Sequence, residues 1–284
     1  MSWTRPAALR AQVQKLWERG DLLAGVVTGE PLFPRRLTLR GPSSQEMTDR
    51  FGEVRAWIGE LRAMPHCRVE MREFRHRLFG TNAVPQEVWI DTLDDALAIV
   101  GKRREASRFG GLLEATRACQ PELLAWLAKR PLRALELAEE WRRLLDIVAW
   151  LQRHPRPGVY LRQVDIPGVH SKFIEAQRGV LGELLDLALP PAAIDPSAAG
   201  VSQFARRYGF RDKPQRIRFR ILDRRHALLA GDPEQDLTLD ARSFARIDPQ
   251  VERVFITENE INFLAFPAVP HSLILFGAGY GFEM

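Results

Sequence analysis

Tyrosine, cysteine and long apolar runs are all scarce in this chain of 284 residues. Hydrophobic residues make up 45% of it, yet no stretch approaches the roughly 20 apolar residues that span a bilayer as a helix. The opening "MSWTRPAALRAQVQKLWERG" carries no h-region and reads as an amphipathic helix, so neither a leader nor a membrane partner is expected. Cys67 and Cys119 stand alone, without a CxxC, which points to thiols in a reducing compartment rather than a disulfide, and so to a cytoplasmic protein. The histidines at 66, 76, 154, 170, 226 and 271 show no metal-ligand spacing along the chain. Tyrosine occurs only at 160, 208 and 280. No Walker loop and no GxSxG is written.

What is present is ordinary globular composition with a net charge of +5 and a pI of about 9.6, which permits a nucleic-acid partner without demanding one. All seven tryptophans lie between Trp3 and Trp150, in text of mostly helical period. Leu9, Val13, Leu16 and Trp17 form one apolar stripe, with Gly20 as its stop. Ser43 and Glu46 have capping-box spacing, and a second stripe runs through Met47, Phe51, Val54, Trp57, Ile58 and Leu61. The tryptophans therefore read as helix-packing core. Between 67 and 91 the alternation of "CRVEMREFRHRL" and the run "EVWID" predict strands.

"RHPRPG" (153–158) breaks the helical block. Beyond it the residues up to Val164 look strand-like, a helix carries Phe173 to Leu187, "PPAAIDPSAAG" reads as a linker, and "VSQFARRYGF" as a short helix closed by Gly209. "QRIRFRILDRR" predicts a strand within a basic hairpin. The expected organisation is α+β and multidomain: a helical arm over 1–155, a winged-helix-like DNA-binding domain over 156–245, and the start of an α/β domain over 246–284.

That last segment raises the sharpest question. In "RVFITENEINFLAFP" a β-branched run ends in two carboxylates, Glu258 and Glu260. A strand (253–257), a short helix (259–266) and a strand (272–276) make a β-α-β start, and ligands of open α/β sheets sit at the carboxyl ends of strands. Glu258 is at such an end and could hold a hard cation, or could be a solvated rim residue. Thr257-x-x-Glu260 has capping-box spacing, which gives Glu260 a structural use. "GAGYG" (277–281) reads as a tight turn more readily than as a phosphate loop.

The basic stretch 206–225 holds eight arginines and one lysine against Asp212 and Asp223. Alternation puts Arg216, Arg218 and Arg220 on one face of a strand and Ile217, Phe219 and Ile221 on the other. Same-face residues are about 6.6–6.8 Å apart, near the phosphate spacing of one DNA strand. With Arg206, Arg207, Arg211 and Lys213 they make a candidate phosphate-tracking stripe; the alternative is a solvated face paired with acids such as Asp236 and Asp240.

Several long stretches in this order, "LRQVDIPGVHSKFIE", "RRYGFRDKPQRIRFRILD", "VFITENEINFLAFPAVP" and, nearer the start, "GEPLFPRRLTLRGPSS", resemble the JetD family, nuclease subunits of the bacterial Wadjet plasmid-defence systems. The resemblance implies a helical arm, a winged-helix domain of the kind found in topoisomerase VI A subunits, and a Toprim domain. It implies Mg²⁺ or Mn²⁺ as cofactor, a homodimer, SMC-like Wadjet partner subunits and closed-circular plasmid DNA as substrate. Glu258 matches the Toprim glutamate, catalytic and metal-binding, with Glu260 as a further ligand or support. The Asp-x-Asp of that family's third strand is not within these 284 residues, so the chain by itself is expected not to cleave DNA. Attack by metal-activated water is expected over attack by Tyr208. A non-catalytic DNA-binding and partner-docking module is the alternative, and a nucleotide-binding enzyme resting on "GAGYG" alone is a distant third.

Overall fold

The computed structural model describes residues 3–76, 80–229 and 235–277. The chain forms two compact units, Met1–Arg211 and Asp212–Met284. No described helix is long and apolar enough to cross a membrane.

In the first unit local signals act as their chemistry requires. Pro6 opens the helix Pro6–Glu18, which buries Leu9, Val13, Leu16 and Trp17. Gly20 follows at φ 80°, and a Cβ there would meet the Pro131 ring at 2.6 Å, so both conformation and space demand glycine. Ser43 and Glu46 close a reciprocal capping box. The stripe behind it divides at Arg50 into the helices Ser44–Asp49 and Phe51–Arg62, and only Val54, Trp57 and Leu61 are buried. β1 (Arg35–Leu37), β2 (Arg68–His76) and β3 (Gly80–Ile90) form an antiparallel sheet in the order β1-β3-β2.

Tryptophans organise the core. Trp126 and Trp141 stack with centroids 5.4 Å apart. The Trp141 indole donates to Thr116 Oγ1 (2.9 Å) and that of Trp126 to Glu183 Oε2 (2.7 Å), so each large apolar body has its polar atom satisfied. A single apolar cluster runs from Trp3 to Phe210. The break at 153–158 therefore does not divide the core. The helix Arg178–Ala188 buries Leu181, Leu184 and Leu185 in it, and the segment expected as a linker packs too, with Ala193 and Ala198 buried. The residues before Val164 form a 3₁₀ turn, Leu161–Gln163, rather than a strand, because the Gln163 carboxamide accepts the Tyr160 backbone N–H (2.8 Å) and closes the chain on itself.

The second unit is built on one mixed sheet. Its strands are β4 (Arg216–Ile221), β5 (Asp236–Asp240), β6 (Arg253–Thr257) and β7 (Ser272–Phe276), in the order β5-β4-β7-β6. β4 pairs antiparallel with both β5 and β7, and β6 runs parallel to β7. The basic hairpin, placed with 156–245 from the sequence, thus shares a sheet with the β-α-β segment of 253–276. Main-chain pairing of β4 with β7 makes the two one unit, and the chain divides after Arg211 instead of at 245. Both sheet faces are apolar: Phe219, Ile221 and Leu273 pack with Phe244 on one, and Leu222, Ile274 and Phe263 of the helix Glu260–Leu264 on the other.

Replacing Trp141 by Ala removes a wholly buried indole and leaves the Thr116 hydroxyl oxygen without the N–H it accepts. The expected loss is about 3–5 kcal/mol, read as a shift in the denaturant midpoint of the far-UV circular dichroism; a loss below about 1 kcal/mol would contradict this packing.

Candidate functional site

Glu258 follows β6 directly and is exposed, with no hydrogen bond or ion pair among the described residues. The helix after it starts at Glu260, and its cap is Asn259, whose side-chain oxygen accepts the Asn262 N–H (3.0 Å). This corrects the expected Thr257–Glu260 box: Asn259 takes the cap because it stands one residue before the first helical turn. The Glu260 carboxylate is used elsewhere, accepting from Arg218 Nη1 at 2.6 Å.

Arg218 is the centre of this cluster. Its guanidinium donates to Asp236 through Nε (2.9 Å) and Nη2 (2.6 Å) as well as to Glu260. It lies over the rings of Phe263 (5.1 Å) and Phe276 (5.6 Å). Two residues on, Arg220 is buried and donates to the carbonyls of Phe263 (2.8 Å) and Leu264 (2.6 Å), the open end of the same short helix.

Two members of the candidate phosphate-tracking stripe, Arg218 and Arg220, thus have their partners inside the unit. The alternation of β4 is as read, but β4 is an interior strand and the helix Glu260–Leu264 covers its arginine face. Arg218 and Arg220 are committed inside the unit, and only Arg216 is exposed. Arg207, in the first unit, makes a bidentate pair with Asp186 and donates to the Ala198 carbonyl (2.7 Å). Arg206 is more exposed but reaches Asp195 and Ser197. Arg211 and Lys213 are exposed, on the irregular segment 211–215 that leads into β4, and their side chains have no partner among the described residues. "GAGYG" after Gly277, with Tyr280, lies outside the described residues.

Folding also assembles a group that spacing along the chain did not show. Asp223, His226 and His271 present ligand atoms within 4.8 Å of one another. Asp223 accepts the Arg225 N–H (3.0 Å), and this local turn starts the 3₁₀ helix Arg224–His226. The Leu222 N–H donates to the Ser272 carbonyl (3.0 Å), continuing the ladder of β4 with β7 and bringing His271 beside the turn.

Residues 6–186 match the family described as "Uncharacterized protein conserved in bacteria N-term (DUF3322)". Residues 209–284, which include the whole described sheet of the second unit, match "Wadjet protein JetD, C-terminal". The chain belongs to the JetD family. A search of curated proteins finds no match to it.

In this JetD-family chain Tyr208 is buried at 1% exposure. Its hydroxyl donates to Asp186 Oδ1 (2.7 Å), lies 2.9 Å from the Gly182 carbonyl and accepts from Arg207 Nε (3.3 Å). Burial first, then Asp186, pushes its pKa above the ordinary tyrosine value, the opposite of what a nucleophile needs. Its place is structural.

Arg220→Met keeps the stem and removes the two donors to the helix end. Hydrogen bonds to charged groups are worth about 1.5–3 kcal/mol each at most, and a destabilisation of about 2 kcal/mol is expected, with faster amide exchange at residues 260–265. Unchanged exchange there would show that Arg220 does not hold the helix.

Proposed function

We propose that this JetD-family Wadjet protein is the DNA-cleaving subunit of its system, a metal-dependent, Toprim-type endonuclease acting on closed-circular plasmid DNA as a homodimer with SMC-like partner subunits. The observation that carries the reading is Glu258: an exposed, unpaired carboxylate at the carboxyl end of a parallel strand, next to a helix fixed by Arg218 and Arg220. Its hard oxygen atoms suit Mg²⁺ or Mn²⁺. Bound there, such a cation would offset phosphate charge and activate water.

The described residues meet only part of that requirement. Glu260 is engaged by Arg218, and no group of three ligand side chains that includes Glu258 is found among the described residues. Glu258 therefore fits as one ligand of a shell whose other members lie outside the described residues, and no cleavage by the isolated chain is expected. A second reading is a DNA-binding and docking module without catalysis, supported by the side chains of Arg211 and Lys213, unpaired among the described residues. DNA contact, in either reading, falls to Arg211, Lys213 and Arg216, with Arg206 and Arg207 in supporting rather than contacting roles.

Two measurements test this. With partner subunits, ATP and Mg²⁺, linearisation of closed-circular plasmid should be lost in Glu258→Gln while DNA binding is kept. Cleavage that survives the substitution overturns the assignment of Glu258, and binding without any cleavage by the unmodified assembly supports the module. Separately, the salt dependence of duplex binding should shallow by about one unit of log K against log [salt] for each of Lys213→Ala and Arg216→Ala. Equal slopes in variant and parent would remove these residues from the interface.

A further inference from the structure

Asp223, His226 and His271 form no part of the carboxylate site just described, yet their chemistry is specific. We infer that they bind one divalent transition ion of the zinc class, at a site separate from Glu258.

The ligand set is two imidazoles and one carboxylate, the combination borderline divalent ions prefer over Mg²⁺. His226 Nε2 and His271 Nδ1 face each other at 3.2 Å. Ligand atoms about 2.0–2.1 Å from a tetrahedral zinc ion are about 3.3 Å apart, so the two nitrogens already have the separation an ion between them needs. Asp223 Oδ2 is 3.9 Å from His226 Nε2 and must close by about 0.6 Å to meet the same geometry. Each ligand is held by the fold. The Asp223 carboxylate is 6% exposed and accepts the His271 backbone N–H at 2.8 Å. Among the described residues His271 is one of four non-glycine residues at positive φ (51°), and its carbonyl accepts N–H groups of Glu252 (2.7 Å) and Arg253 (3.2 Å). These bonds fix the backbone in the left-handed region and aim the imidazole across the strand ends at His226.

Arg225 takes the cation's place in the present arrangement. Its guanidinium donates to Asp223 Oδ1 (3.1 Å) and Oδ2 (2.8 Å), and Nη2 lies 3.4 Å from His271 Nε2. An arginine only donates, so this contact at Nε2 suits the His271 tautomer with its proton on Nδ1, facing His226. A cation entering between the imidazoles requires that proton to move to Nε2, where Arg225 now donates. Carboxylate and imidazole therefore release Arg225 together. Its side chain is 65% exposed and free to swing into solvent. Guanidinium and metal ion are alternative partners of one buried carboxylate.

The competition gives the site a signature that misfolding cannot imitate. The full chain, titrated with Zn²⁺ against a chromogenic chelator, should bind one equivalent, and Co²⁺ should give visible d–d absorption. His226→Gln and His271→Gln should each weaken Zn²⁺ at least tenfold. Arg225→Gln should bind several-fold more tightly, and Glu258→Gln should leave the affinity unchanged. Failure of the parent chain to bind a stoichiometric equivalent overturns the inference. So does binding that persists in both histidine variants, which would assign the ion to the cysteines, and so does weaker binding by Arg225→Gln.

Discussion

One strand of the second unit carries two guanidinium groups that hold the helix Glu260–Leu264 against the sheet. Arg218 joins Asp236 of β5 to Glu260 at the start of the helix Glu260–Leu264, and Arg220 takes the carbonyls at the other end. A five-residue helix has no stability of its own. Its position comes from Phe263 in the sheet's apolar face and from these charged clamps at both ends. The direction in which β6 delivers Glu258 to the rim depends on that helix, because the chain turns between strand and helix within two residues. Charge on the interior of β4 thus sets internal geometry, and the exposed cations lie just before and at the start of that strand.

The acidic and imidazole groups divide the unit in a comparable way. Glu258, with oxygen ligands only, stands at the carboxyl end of β6. The His226–His271 pair stands at the other end of the parallel strands, where β7 begins. The donor atoms differ accordingly: carboxylate oxygen alone at the first, two imidazoles with the Asp223 carboxylate at the second.

Much of this was legible in the sequence where the determinants are local. The strand 253–257, the helix after it and the strand 272–276 could be placed because a β-branched run, a polar cap and a second apolar run follow each other without interruption. The Ser43–Glu46 box and the stripe from Leu9 to Trp17 could be read for the same reason. Exposure could not. Alternation in "QRIRFRIL" separates the two faces of β4 correctly, but whether the arginine face meets water depends on a helix that begins 42 residues after Arg218. The histidine pair was invisible because its members are 45 residues apart and meet only through the β4–β7 ladder. The division after Arg211 was missed for the same cause: strand pairing, not prolines, decides which residues share a core.

β6 has a further consequence. It lies at the edge of its sheet, and Val254 and Ile256 on it are 53% and 61% exposed. Among the described residues nothing pairs with its outer edge, and no charged side chain interrupts Val254 to Thr257. An apolar strand with open N–H and C=O groups is a template for strands of other molecules. Self-association through β6 is therefore the hazard this unit carries in concentrated solution.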